Sequence, residues 1–328
     1  MPTVQKVHID RMLTNISIGY SNEQYLSDKI FKAVTVNKQS DKYPVFGMDR
    51  FRQHADLRAP GTESNEINWT MSSDQFYTDG HALRSTIADE EKQNADDMFD
   101  LETEATELVS EGILLNREVS AANLVMDPTN YHSDLRLTMG TGGTFKWSDY
   151  ANSNPVMDIH KAKEKLHKKS GIRPNTLIMS EQVMNVLKMH PALLDIIKYV
   201  QKGIVTEDLM KTAFGVDNIL VGSALKSGVQ NPGQVASNGV HEGFDNLDYI
   251  WGNSVVLAYI APKPGKKQLS LGYEFQWNKD GAGAVQVRKW YETGRRATVI
   301  EAERWYSHKM ISNVAGFMFS DAITPFAG

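Results

Sequence analysis

Three groups of residues in this chain have the types and spacing to do chemistry. Gly140-Thr141-Gly142-Gly143 is rich enough in glycine for backbone N–H groups to close on a phosphate. A phosphate loop also needs a strand before it and a Lys-Ser or Lys-Thr after it. No strand is evident and no such pair follows, so a flexible connection between two lobes is the better reading. His160, Glu164 and His167 stand at i, i+4 and i+7, which on a helix could bring two imidazoles and a carboxylate to a metal ion. Lys161, Lys163, Lys165, Lys168 and Lys169 crowd the same segment, and their positive field opposes a divalent cation, which favours a solvated helix face. Trp290, Tyr291, Trp305 and Tyr306, interleaved with Arg288, Arg295, Arg296 and Arg304, could stack nucleic-acid bases. They fall on alternating strands with Glu292, Glu301 and Glu303 among them, a pattern better suited to core packing and ion pairs between subunits. The GxSxG elbow is missing, and spacing supports no Ser-His-Asp grouping. The expectation is a protein with no catalytic, cofactor or metal residues, and not an enzyme.

Composition sets the scale. The 328 residues are 41% hydrophobic and 23% charged, enough for a substantial core and for two lobes. There is no cysteine, so neither disulfides nor thiolate metal sites contribute. A formal net charge of -5 argues against tight non-specific DNA binding, which needs a dense basic face to release counterions from phosphates. The opening residues MPTVQKVHIDRML lack the apolar run of a signal peptide, and no later stretch has the length of a membrane span, so a cytosolic protein is expected.

The elements that must position these residues read as follows. Residues 1–45 carry no sustained period and suggest an extended arm. The polar stretch from Val45 to about Ser85, with Pro60-Gly61 as a turn, suggests a long two-stranded excursion, of the kind that lies on a neighbouring molecule. Met98, Leu101, Ala105, Leu108, Gly112, Leu115, Val119 and Ala122 recur at spacings of three and four, an apolar seam on one long helix. Asp89, Glu90 and Glu91 supply an acidic first turn and Asp127-Pro128 a stop, which gives about 37 residues or roughly 55 Å. Leu101, Leu108, Leu115 and Val119 are expected to be buried beneath strands from the C-terminus.

Residues 156–260 switch to alternating helices and short strands. Helices are expected over Met157–Lys169, Glu181–Met189, Pro191 to about Val200 and Thr206–Phe214, with strands at TLIM, NILV and a long buried YIWGNSVVLAYI. From Leu269 onward strand follows strand. Four of these, LSLGYEFQW, AVQVRKWYE, ATVIEAERWYSHKM and NVAGFMFSDAI, cannot form a closed core alone, so one lobe should combine the long helix with the C-terminal strands.

In order and kind these elements resemble the major capsid proteins of tailed bacteriophages, which share the Hong Kong 97 fold. Locally, IRPNTLIMSEQVMNVLKMHPALLDIIKYV and GIVTEDLMKTAFGVDNILVGSA look like the axial-domain segment of that family. The resemblance implies an α+β fold with an N-terminal arm at 1–45 and an extended loop at 46–88. A peripheral domain would combine a spine helix at 89–130 with closing strands at 265–328, and an axial domain would span 131–264. It implies a subunit that self-assembles into hexamers and pentamers of an icosahedral shell around double-stranded DNA. Such a shell sits in the virion and assembles in the host cytoplasm, with a portal protein and a cement or decoration protein as partners. It also implies no cofactor, no membrane and no sequence-specific DNA contact; a mildly acidic wall lets DNA slide. Because Met1-Pro2 opens directly onto the arm, a separately encoded scaffolding protein is expected. The extended loop has no lysine between Lys42 and Lys92, so the lysine–asparagine cross-links of the fold's founding member are not expected. Two rivals stand beside this reading: an encapsulin-type nanocompartment shell, and a cytosolic enzyme with a pocket in residues 131–264.

Overall fold

The computed structural model describes residues 25–46, 51–54, 56–58, 60–68, 71–94, 100–197, 206–227, 247–265, 268–278 and 285–325. The chain enters through α1 (Ser27–Ile30) and β1 (Lys32–Val36), then forms a hairpin from β2 (Ser40–Phe46) and β3 (Met71–Tyr77). Strand β4 (Asp79–Ala88) runs into a short helix α2 (Asp89–Asn94), and the long helix α3 (Leu101–Val125) follows. The middle of the chain supplies β5 (Arg136–Thr138), α4 (Pro155–Ser170), β6 (Thr176–Ser180), α5 (Glu181–Lys188), α6 (Pro191–Ile197), α7 (Glu207–Phe214) and β7 (Asn218–Gly222). It ends with β8 (Leu225–Ser227), β9 (Leu247–Tyr249) and β10 (Val255–Ala258), after which come β11 (Gly272–Trp277), β12 (Gln286–Glu292), β13 (Ala297–Met310) and β14 (Gly316–Ser320).

Two five-stranded sheets organise these elements. The first has the order β1-β11-β13-β12, with β4 also paired to β13. Strand β13 is 14 residues long, which lets it pair with β12 over Ala297–Glu303, with β4 over Ala297–Tyr306 and with β11 over Tyr306–Met310. The second sheet has the order β5-β14-β10-β6-β7, and α4 to α7 cover it through a core that includes Trp147, Leu166, Leu187 and Phe214. Strand β14, grouped in the sequence reading with the C-terminal strands of the long helix, pairs instead with β10 of this second sheet. The run YIWGNSVVLAYI is not one long strand either. Only Val255–Ala258 is extended into the sheet, because Gly252 turns the chain at φ +55° after Tyr249.

Helix α3 differs from expectation in two ways. It starts at Leu101, where the Asp100 carboxylate accepts N–H bonds from Glu102 and Thr103, so the acidic residues 89–91 begin a separate short helix. Met98 lies outside the described residues. The helix is unbroken at Gly112, where Leu83 of β4 packs against the missing side chain.

Of the expected seam only Ala105 and Ala122 are buried. The buried row runs Ala105, Val109, Ile113, Arg117, Ala121, Val125, in steps of four, while Leu108 is 70% exposed and Leu101, Leu115 and Val119 are only half-buried. A step of four residues advances the buried face by about 40°. The face therefore winds around the helix, from β13 and β4 at its start to the joint between the sheets at its end.

Candidate functional site

The densest polar chemistry lies where that winding face reaches the joint. Arg117 and Glu118, adjacent on α3 and both buried, hold three separate parts of the chain. Arg117 Nε donates to Glu274 Oε2 of β11 at 2.9 Å, and Nη2 reaches Asp28 of α1. The other oxygen of Glu274 accepts from Arg304 Nη2 of β13 at 3.1 Å, and His308 Nε2 lies 3.4 Å from Oε2. Burial alone would drive Glu274 toward its neutral form, yet His308, Arg117 and Arg304 hold its carboxyl well below the usual range. Burial likewise works against the Arg117 charge, and Glu274 and Asp28 outweigh it. Glu118 faces the other way. Its carboxylate accepts the backbone N–H groups of Leu26 and Ser27 at 2.8 and 2.9 Å, at the start of α1, and the indole N–H of Trp251 at 2.7 Å. One pair of residues thus ties the entering chain, the first sheet and the Trp251 turn before β10 to the long helix.

Sequence reasoning missed this pair, since two charged residues inside an apolar periodicity read as solvent-facing. The signal that could have found them is the interruption itself, an Arg-Glu dipeptide on the side of the helix that the four-residue row predicts to be buried.

The second positioned feature is the base of the β2–β3 hairpin. Phe76 stacks on Phe275 of β11 at 4.4 Å between centroids, and Tyr43 stacks on the same ring at 5.8 Å. Lys309 of β13 pairs with Asp74 at 2.8 Å, and Tyr43 Oη donates to the same carboxylate at 2.7 Å. Lys309 and Tyr43 hold the Asp74 carboxyl down at about 2. Beyond this anchored base, Phe51, Leu57, Ile67 and Met71 are exposed, Leu57 at 92%.

The motif residues have ordinary partners. Gly140, Gly142 and Gly143 all adopt positive φ in a turn after β5, which Thr141 and Thr144 close by donating to the Thr138 carbonyl. A strand does precede this loop, but no Lys-Ser or Lys-Thr follows it. On α4, His160 Nε2 lies 3.1 Å from the Ala213 carbonyl, Lys163 donates to the Phe214 carbonyl at 3.0 Å, and Glu164 pairs with Lys168 at 2.5 Å. The His160 and Lys163 contacts cap the end of α7, the Glu164 pair lies along α4 itself, and none converges on a cation. Among the described residues no three His, Asp or Glu are grouped to hold a metal, and no helix is long and apolar enough to cross a membrane.

The aromatic and arginine set also packs within the chain. Trp305 meets Trp277 edge-on at 5.0 Å, Tyr306 stacks on His81, and Tyr291 Oη donates to Asp89 at 2.6 Å. Arg288 pairs with Glu303 and Arg304 with Glu274. The ion pairs expected between subunits are in these cases internal.

No family model matches the chain. The major capsid protein of Burkholderia phage BcepMu is 33% identical over 284 residues, which cover 85% of this chain and 86% of the relative. The chain belongs to the phage major capsid proteins. Its role is structural, that of a subunit of a multi-subunit virion shell. The fold agrees. A phage-related protein from Bordetella bronchiseptica RB50 superimposes with a TM-score of 0.73 at 23% identity, covering 97% of this chain and 99% of that one. The subunit of the bacteriophage PhiM1 mature capsid superimposes with a TM-score of 0.56 at 10% identity, covering 98% and 91%.

Proposed function

We propose that this chain is a Hong Kong 97-like subunit whose extended hairpin drapes over neighbouring copies, closing hexamers and pentamers into an icosahedral shell around double-stranded DNA. One observation carries the reading: the hairpin is anchored at its base, yet beyond the anchor Leu57, Ile67 and Met71 are largely exposed in their own subunit. Such a segment gains its burial from another molecule.

In this reading residues 1–45 are the arm and 46–88 the extended loop. The peripheral domain combines 89–130 with 265–328, and the axial domain spans 131–264. The pairing of β14 with β10 supports moving that one strand to the axial side. A scaffolding protein, a portal and a cement protein complete the assembly in the host cytoplasm, and no catalytic step is part of it. The net charge of -5 suits a wall along which DNA slides without sequence-specific contact. The nanocompartment alternative is set aside, since the 33% identical relative is a phage capsid protein.

Replacing residues 51–68 with a short Gly-Ser linker tests the reading. The variant is expected to remain a soluble, folded subunit that forms no closed shells by electron microscopy. Normal closed shells from it would overturn the proposal.

A further inference from the structure

His190 is 1% exposed and sits between the turn at 149–153 and the start of α6. The N–H of Ala192 donates to its Nδ1 at 3.1 Å, so that nitrogen carries a lone pair and no proton. The proton of the neutral ring is then on Nε2, which faces Ser153 Oγ at 3.0 Å. The Ser153 hydroxyl spends its own proton on the Asp149 carbonyl at 2.6 Å. Each donor in this line has one acceptor, and only one tautomer satisfies it. A base that activates Ser153 would need the opposite tautomer, so the pair is not a nucleophile and its base.

The first turn of α6 depends on this residue. Pro191 has no N–H, Ala192 gives its N–H to the imidazole, and Leu193 and Leu194 give theirs to the His190 carbonyl at 3.0 and 3.1 Å. A proton added to Nδ1 would set two donors against each other 3.1 Å apart. Nearby charged or titratable groups are Asp149 and Tyr150 on the turn, Lys188 on α5, Asp195 on α6 and Asp158 on α4. The Asp149 carboxylate is turned to the Ala151 N–H and Asn152, Asp158 takes the Trp147 indole N–H, and the Tyr150 ring meets the imidazole edge-on at 5.4 Å. Burial is the cause that moves the His190 pKa, downward, with no carboxylate opposing it.

We propose that His190 is a proton-operated clasp, which when neutral binds α6 to the turn at 149–153 and when protonated lets the first turn of α6 go. Leu193 anchors the helix in the core, while Met189, Leu194 and Ile196 on the same segment are exposed. The clasp thereby sets how an apolar ridge is presented on the surface of this lobe. With the folded pKa below the ordinary 6.5, the folded state resists the proton that the released segment accepts. The clasp is complete above about pH 6.5 and weakens as pH falls below it.

Hydrogen exchange of the full-length chain, read by mass spectrometry on peptides spanning 186–197 at pH 7 and pH 5 and corrected for intrinsic rates, tests this. Loss of a cap is expected to cut protection about five- to tenfold at pH 5, while peptides from β10 stay unchanged. His190→Asn offers a side-chain acceptor that does not titrate, and should keep equal protection at both pH values. His190→Ala should show the lowered protection at both. Equal protection of the wild-type segment at pH 7 and pH 5 would overturn the proposal without any variant. So would a His190→Asn protein that loses protection at pH 5 as the wild type does.

Discussion

Replacing Glu274 with Gln tests the electrostatics of the joint, because the side chain keeps its shape while losing its charge and exchanging one acceptor oxygen for an amide donor. In the wild type one fully buried carboxylate serves Arg117 and Arg304, with His308 at 3.4 Å and the Gln276 amide donating to Oε1 at 2.9 Å. Neutralising it leaves two buried guanidinium groups with only Asp28, which is itself largely exposed, as a counter-charge. Removing one partner from a buried ion pair costs about 3–5 kcal/mol, and the amide nitrogen, which must face the donors of Arg117 or of Arg304, keeps the cost within that range. With a urea m-value of about 3 kcal/mol/M for a chain of this size, the unfolding midpoint of the unassembled subunit should fall by roughly 1 M. A cycle with Arg304→Met should show coupling of at least about 1 kcal/mol, since the double variant removes one orphaned charge. Because the folded pKa of Glu274 lies below its ordinary 4.5, the unfolded chain takes up the proton first as pH falls. The gap between wild type and Glu274→Gln should thus be full above about pH 4.5 and shrink below it. A midpoint shift worth less than about 0.5 kcal/mol, or no coupling to Arg304, would refute the view that this network fastens the helix to the sheet.

Three further outcomes are expected. Asp74→Asn should speed hydrogen exchange in residues 71–77 of the unassembled subunit several-fold by loosening the Lys309 and Tyr43 anchor. In the wild type that anchor should hold above pH 3.8 and fail as pH drops toward 2, because the folded carboxyl is the stronger acid. Gly222→Ala should cost about 1–3 kcal/mol in the same urea assay, since the added methyl collides with the fully buried Trp251 ring that Glu118 holds in place. Mature particles boiled in detergent should run as a single band near 36.8 kDa on a denaturing gel, with a covalent ladder counting against the reading, because the loop has no lysine and its Arg50, Arg52, Arg58 and Arg84 cannot act as amine nucleophiles.

Sequence by itself determined the order of the elements, since each was written locally. Asn154-Pro155 and Gly171 bound α4, Ser180 caps α5, and the alternating strands near the C-terminus were visible from their β-branched and aromatic residues. That order was enough to suggest a family. What only the tertiary structure decided was which faces meet. The buried side of α3 rotates because its first half packs on one sheet and its second half on the joint of two, and no single apolar seam can describe a face that turns. Leu108 therefore stayed in solvent while Arg117 and Glu118 went inside, where partners up to 157 residues away in sequence satisfy their charges. The same holds for β14 and for His190: strand pairing and the choice of tautomer depend on groups that local sequence does not contain, and only folding brings them within hydrogen-bonding distance.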